Sequence, residues 1–192
     1  MGFGMIINSI LLGIGLAMDA FSVSLANGLN EPGMKKGRII TIAGVFSLFQ
    51  FAMPLIGWIC VSTVARYFAL FEKAVPWIAL VLLTYIGGKM LYDGIKGGED
   101  GEEVPALGIG ELMLQGVATS IDALSVGFTI AAYSLAEAFI SCVIIGIVTF
   151  FICFTGITIG KKAGTALAGK AGILGGVILI FIGIEIFVSN MF

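Results

Sequence analysis

Asp19 and Asp122 are the residues on which chemistry could turn. Each carboxylate lies inside a long apolar run, in nearly the same hexapeptide: Met18-Asp19-Ala20-Phe21-Ser22-Val23 and Ile121-Asp122-Ala123-Leu124-Ser125-Val126. A charge near the middle of a bilayer costs at least about 2.5–3.5 kcal/mol on insertion scales, so such residues face a cavity, a partner or an ion. On a helix, Ser22 and Ser125 would share the face of the aspartate three residues before them. Thr119 adds a hydroxyl one turn ahead of Asp122. Gly15, Ala17, Ala20, Ala118, Ser120 and Ala123 surround the pair, and small residues let helix backbones approach closely.

Two carboxylates brought together in a low dielectric cannot both stay ionised without compensation. A divalent cation supplies it, and the chain has no histidine, so oxygen ligands would suit hard ions such as Mg²⁺, Ca²⁺ or Mn²⁺. With the ion gone, protons are the alternative neutralising charge, which makes proton counter-transport a natural expectation. Gln50 could lend a neutral ligand oxygen or an interhelical hydrogen bond, and Met18 a soft thioether or simple packing. Lys89 and Glu185 are the other ionisable residues well inside apolar runs. Both are candidates for the ion pathway. Snorkelling to the headgroups is the competing explanation, with Asp93 one turn after Lys89 as its partner. The aspartates could also be structural, each hydrogen-bonded to its own surroundings.

These residues need helices to hold them. Of 192 residues, 59% are hydrophobic and 11% charged, which excludes a water-soluble globule and a disordered tail. A net charge of −2 excludes a nucleic-acid binder. A bilayer core of about 30 Å takes about 20 apolar residues per helix. Six such runs fall near residues 5–27, 39–62, 75–95, 107–132, 138–160 and 171–191. None alternates as a barrel strand would. The expectation is an all-α integral membrane protein of six transmembrane helices.

The repeated aspartate motif, with Ile86-Gly87-Gly88 echoed by Ile182-Gly183-Ile184, divides the chain into two three-helix halves. Residues 1–96 and 106–192 form the repeats, joined by an acidic cytoplasmic linker at 97–105. Three being odd, the second half enters from the opposite side, giving the inverted repeat of many secondary transporters. Lys35, Lys36 and Arg38, then Lys96, then Lys161, Lys162 and Lys170 put the odd-numbered loops in the cytoplasm and both termini outside. Trp58, Tyr67, Trp77 and Tyr133 would settle at the outer headgroups. The first run lacks a signal peptide's basic start and is read as a retained span.

Several other chemistries are disfavoured. Cys60, Cys142 and Cys153 form no CxxC pair and fall in neither aspartate motif, so neither a zinc site nor a thiolate cadmium site is indicated. Residues 164–171 resemble a Walker A loop, but Ala171 stands where the Mg²⁺-binding hydroxyl belongs. Transport would draw on a gradient. Two membrane aspartates could also form an aspartic protease dyad, yet no Gly-x-Gly-Asp segment precedes either one. No catalytic residue, resident cofactor or obligate protein partner is inferred.

The segments Gly15-Leu-Ala-Met-Asp-Ala-Phe-Ser-Val-Ser24 and Ala118-Thr-Ser-Ile-Asp-Ala-Leu-Ser-Val-Gly127, with Pro54-Leu-Ile-Gly-Trp58 and Ile86-Gly-Gly-Lys-Met90, resemble the bacterial MntP-type manganese efflux pump family. The resemblance covers essentially the whole chain. It implies a six-helix protein of the bacterial inner membrane that exports Mn²⁺, with Asp19 and Asp122 central to transport. Some members carry a carboxylate in the second helix where this chain has Gln50. Residue chemistry alone reaches only a divalent-cation or proton-linked transporter. Export of another divalent cation or small solute on a related fold is the alternative.

Overall fold

The computed structural model describes residues 3–63, 107–166 and 171–191, with residues 77, 80, 81, 83–89, 91, 92 and 95 between them. Every regular element among the described residues is helical. α1 spans Phe3–Asn30 and α2 Lys36–Thr63. α3 denotes the described helical residues between 77 and 95. α4 covers Ile109–Ala118, α5 Ile121–Thr129, α6 Leu135–Ala166 and α7 Ala171–Met191. Three stretches, Gly4–Asn30, Lys36–Cys60 and Leu135–Gly164, are long and apolar enough to cross a membrane. Tyr67, Asp93, Lys96, Lys170 and the acidic linker fall outside the described residues.

The run at 107–132, expected as one span, is two helices joined by a turn at Thr119–Ser120. Two hydroxyls bond backward at the break. Thr119 Oγ1 donates to the Gln115 carbonyl (2.9 Å) and Ser120 Oγ to that of Gly116 (2.6 Å), which pulls the backbone over. The Ser120 N–H then reaches only three residues back, to Val117 (3.2 Å). α1 stays continuous through Asp19. α2 also continues through Pro54, which has no N–H to give the carbonyl of Gln50, four residues earlier.

α1 ends where Pro32-Gly33 forms a turn, closed by the Met34 N–H on the Glu31 carbonyl (3.0 Å). The basic loop that follows is anchored to the second half of the chain. Arg38 pairs with Glu31 (2.7 Å) and donates to the Leu107 carbonyl (2.5 Å), and Lys161 donates to the Met34 carbonyl (2.6 Å).

α1 packs chiefly along α6, and α2 along α6 and α5. Glycines make the tightest crossings. A Cβ on Gly160 would drive into the Leu25 carbonyl, and one on Gly28 into that of Ile157. Gly57 and Gly127 do the same between α2 and α5, and Gly87 and Gly176 between α3 and α7. Such contact needs a bare backbone on at least one side.

Besides a cluster around Ile130, Ala138 and Cys142, two apolar clusters fill the bundle. One gathers Ala20, Val23, Phe46, Ala118, Cys153 and Ile157 with their neighbours. The other holds Leu16, Ala123 and Ile145, with Met53 and Val126 against them. Each cluster draws on α1, α2, α6 and the broken helix, so the four elements pass through both.

Gly160→Ala should destabilise the detergent-solubilised protein by about 1–3 kcal/mol, the usual range for overpacking. Gly44→Ala, where an added Cβ meets nothing within 4 Å, should leave it unchanged or slightly firmer. Thermal unfolding midpoints measured side by side would separate the two.

Candidate functional site

The candidate site lies between the two apolar clusters. Asp19 falls between Leu16 of one and Ala20 of the other, Asp122 between Ala118 and Ala123, and Gln50 between Phe46 and Met53. The bundle thus has a polar layer with apolar packing on both sides.

Gln50 ties this layer together. Fully buried at 0% exposure, it donates through Nε2 to the carbonyl of Leu16 in α1 (3.1 Å) and to that of Thr119 at the α4–α5 break (2.9 Å). Those carbonyls stand three residues before Asp19 and three before Asp122. Because both are acceptors, the NH₂ end of the amide must face them, and the oxygen is left over. Gln50 Oε1 is buried and has no hydrogen-bond partner. Of the two roles open to Gln50 from sequence, the nitrogen makes the interhelical bonds and the oxygen remains free for a ligand.

Asp122 sits in the first turn of α5, where the N-terminal end of the helix dipole favours negative charge. The N–H groups of Asp122 and Ala123 lie against its carboxylate, which also feels the negative charge of Asp19. Its Oδ1 is buried without a hydrogen-bond partner. Asp19 is half-buried on the unbroken α1. The two aspartates therefore lie within electrostatic reach of one another, on helices bridged by one amide. Among the described residues no three carboxylates, thiols or imidazoles gather as a metal cluster. An ion here would need neutral oxygens beside the two acids.

The remaining candidates are distributed as follows. Thr119, 1% exposed, gives its carbonyl to Gln50 while its hydroxyl bonds back along α4. Ser22 is half-buried and donates to the Met18 carbonyl (3.1 Å), and Ser125 is half-buried in α5. Met18 of α1 is 49% exposed. Lys89 pairs with Glu111 in the first turn of α4. Glu185 is in α7, but its side chain is outside the described residues.

Sequence reasoning missed four polar residues, three of them buried. Glu111 divides its carboxylate between Lys89 and the Gly108 N–H that caps α4 (3.2 Å). Asn27 and Gln115 form a reciprocal buried amide pair between α1 and α4, at 2.7 and 3.2 Å. Thr149 of α6 is buried as well. All are polar residues within or at the edge of apolar runs, the same signal that singled out Gln50. Cys153, distant from both motifs in sequence, packs in the cluster that contains Ala20 and Val23.

The architecture is that of an integral membrane protein whose polar centre is shared between helices from both ends of the chain. Residues 33–187 match the family model described as "Putative manganese efflux pump". Proteins named "Putative manganese efflux pump MntP" align over nearly the full chain. One from Clostridium botulinum (strain Loch Maree / Type A3) is 43% identical, covering 96% of this chain and 95% of its own length. One from Ruminiclostridium cellulolyticum is 42% identical, covering 95% of each, and one from Methanocorpusculum labreanum is 40% identical, covering 96% and 97%. No solved structure matches the chain. The chain belongs to the MntP manganese efflux pump family, a family of transporters and not of enzymes.

Asn27→Ala should strand the buried amide of Gln115 and cost about 1–3 kcal/mol of stability. Replacing both residues by Leu should recover part of that loss, since an apolar pair leaves nothing unsatisfied. Denaturant titration of the single and double variants measures the difference.

Proposed function

We propose that the protein exports Mn²⁺ across the bacterial inner membrane as a secondary transporter, binding the ion between Asp19 and Asp122 and exchanging it for protons. The observation that carries this reading is the pair of buried oxygens without partners, Asp122 Oδ1 and Gln50 Oε1, in one polar layer. An unsatisfied buried acceptor costs about 1–3 kcal/mol, more if charged, and a cation in the layer removes the penalty at both oxygens. All the donors are oxygens, which suits a hard divalent ion. The relatives' names supply manganese and the direction of transport.

The coordination shell is drawn from Asp19, Asp122 and Gln50, with Ser22, Ser125 and Thr119 shaping its walls. Met18, Lys89 and Glu185 belong to the access path, where Lys89 holds its pairing with Glu111. Ion and lipid are the partners this reading requires. Moving Mn²⁺ outward alone against an inside-negative potential of 100 mV would cost about 4.6 kcal/mol, twice the value of about 2.3 for one charge. Exchange for two protons moves no net charge. Two aspartates offer two places for those protons.

The same reading takes the chain as six spans in two inverted halves, 1–96 and 106–192, with both termini outside. The packing supports it: an exchange of halves turns α1 against α6 into α5 against α2, and both pairings are extensive. Trp58 donating to the Tyr133 carbonyl (3.3 Å) brings two of the aromatic residues expected outside to one end of the bundle.

In proteoliposomes, Asp19→Asn and Asp122→Asn should each abolish Mn²⁺ transport, by at least about 100-fold if both carboxylates are ligands. Collapsing the proton gradient should stop accumulation by the wild type. Undiminished flux in either aspartate variant would remove the shared site, and flux indifferent to the gradient would remove the exchange.

A further inference from the structure

Thr149 in α6 is buried at 0% exposure, and its hydroxyl has no hydrogen-bond partner. This is unusual for its setting. A helical threonine has an acceptor ready in the carbonyl one turn back, and three others in this bundle use it: Thr41 donates to Gly37 (3.1 Å), Thr155 to Ile152 (2.7 Å) and Thr158 to Phe154 (2.8 Å). The Thr149 hydroxyl makes no such bond to the Ile145 carbonyl. Its neighbours one turn away on the same face are Ile145 and Cys153, one in each apolar cluster, so it falls in the layer occupied by Asp19, Gln50 and Asp122.

The repeat explains why it is there. Aligning the two aspartate motifs pairs Phe21 with Leu124 and Leu16 with Thr119. A Cβ on Gly57 of α2 would strike the Leu124 carbonyl, and one on Gly156 of α6 would meet that of Phe21 at 3.0 Å. Gly57 and Gly156 are therefore counterparts. Seven residues before each lie Gln50 and Thr149. Gln50 bonds Leu16 and Thr119, themselves counterparts, as expected for a residue close to the axis relating the halves. Its own counterpart must then approach the same axis from the other side.

We propose that Thr149 Oγ1 is a neutral ligand of the transported divalent cation, placed across the pair of aspartates from Gln50 Oε1. This rests on the midplane site proposed above. Two carboxylates supply the charge, one from each half, and two neutral oxygens, again one from each half, complete the protein's share of the shell. The hydroxyl is left without a helical bond because the ion is its partner.

The test is Mn²⁺ and Cd²⁺ affinity of the purified full chain in detergent, by equilibrium dialysis, for the wild type and for Thr149→Val, Thr149→Ser and Thr149→Cys. Val should weaken Mn²⁺ binding about tenfold, the low end for losing a group that supports a metal, while Ser stays near wild type. Cys, with a soft sulfur in place of the oxygen, should raise affinity for Cd²⁺ relative to Mn²⁺. A merely structural Thr149 would not move that ratio, so the Cys variant decides even if Val fails to fold. An unchanged ratio, or Val binding Mn²⁺ as tightly as wild type, overturns the assignment. Asp19→Asn and Asp122→Asn run alongside: if they bind Mn²⁺ normally the midplane site itself fails, and if they lose it while Thr149 variants do not, only Thr149 is dismissed.

Discussion

Lipid offers no water to a buried polar group, so each donor and acceptor inside the bundle must find its partner within the chain. Most of them do. Asn27 and Gln115 satisfy one another, Ser9 meets Ser141 at 2.8 Å, and Ser47 donates to the Gly146 carbonyl at 2.8 Å. Gln50 spends its amide hydrogens on two carbonyls from different helices. Against that background, Gln50 Oε1, Asp122 Oδ1 and Thr149 Oγ1 are left without hydrogen bonds, as are Ser24 Oγ and Asn30 Oδ1 further along α1.

Charge balance fits the proposed site. Two carboxylates and one divalent cation sum to zero, and a neutral complex is far easier to hold in a low dielectric than one with an uncompensated charge. A third carboxylate in α2 would leave the loaded site negative. Gln50 keeps an oxygen at that position without adding charge. Its nitrogen also makes bonds that a carboxylate could make only by taking up a proton, since a carbonyl accepts and does not donate.

Much of this was legible in residue order, and the limits have physical causes. Apolar run length places α1, α2, α6 and α7, because a bilayer fixes how many residues a helix needs. The same rule misreads 107–132 as one helix, since hydropathy ignores local hydrogen bonding such as the backward bonds Thr119 and Ser120 make at the break. The aspartates stand out because charge in an apolar run is expensive. Asn27, Gln115 and Thr149 are neutral and cost less there, so they carry only the weaker signal that Gln50 carries, and what each does depends on what faces it across the bundle. Lys89 shows the same limit: its local partner by spacing is Asp93, while the structure pairs it with Glu111, 22 residues away.

The glycine crossings also bear on how such a bundle could open. α1 is locked to α6 at Gly28 and Gly160, and α2 to α5 at Gly57 and Gly127, with backbones too close for one helix to slide along the other. Each locked couple takes one member from either end of the polypeptide. Any rearrangement that spared these seams would keep α1 with α6 and α2 with α5, and would have to work against the α2–α6 packing, where Ser47 donates to the Gly146 carbonyl. Those couples cut across the proposed halves, and the amide of Gln50 bridges from one couple to the other.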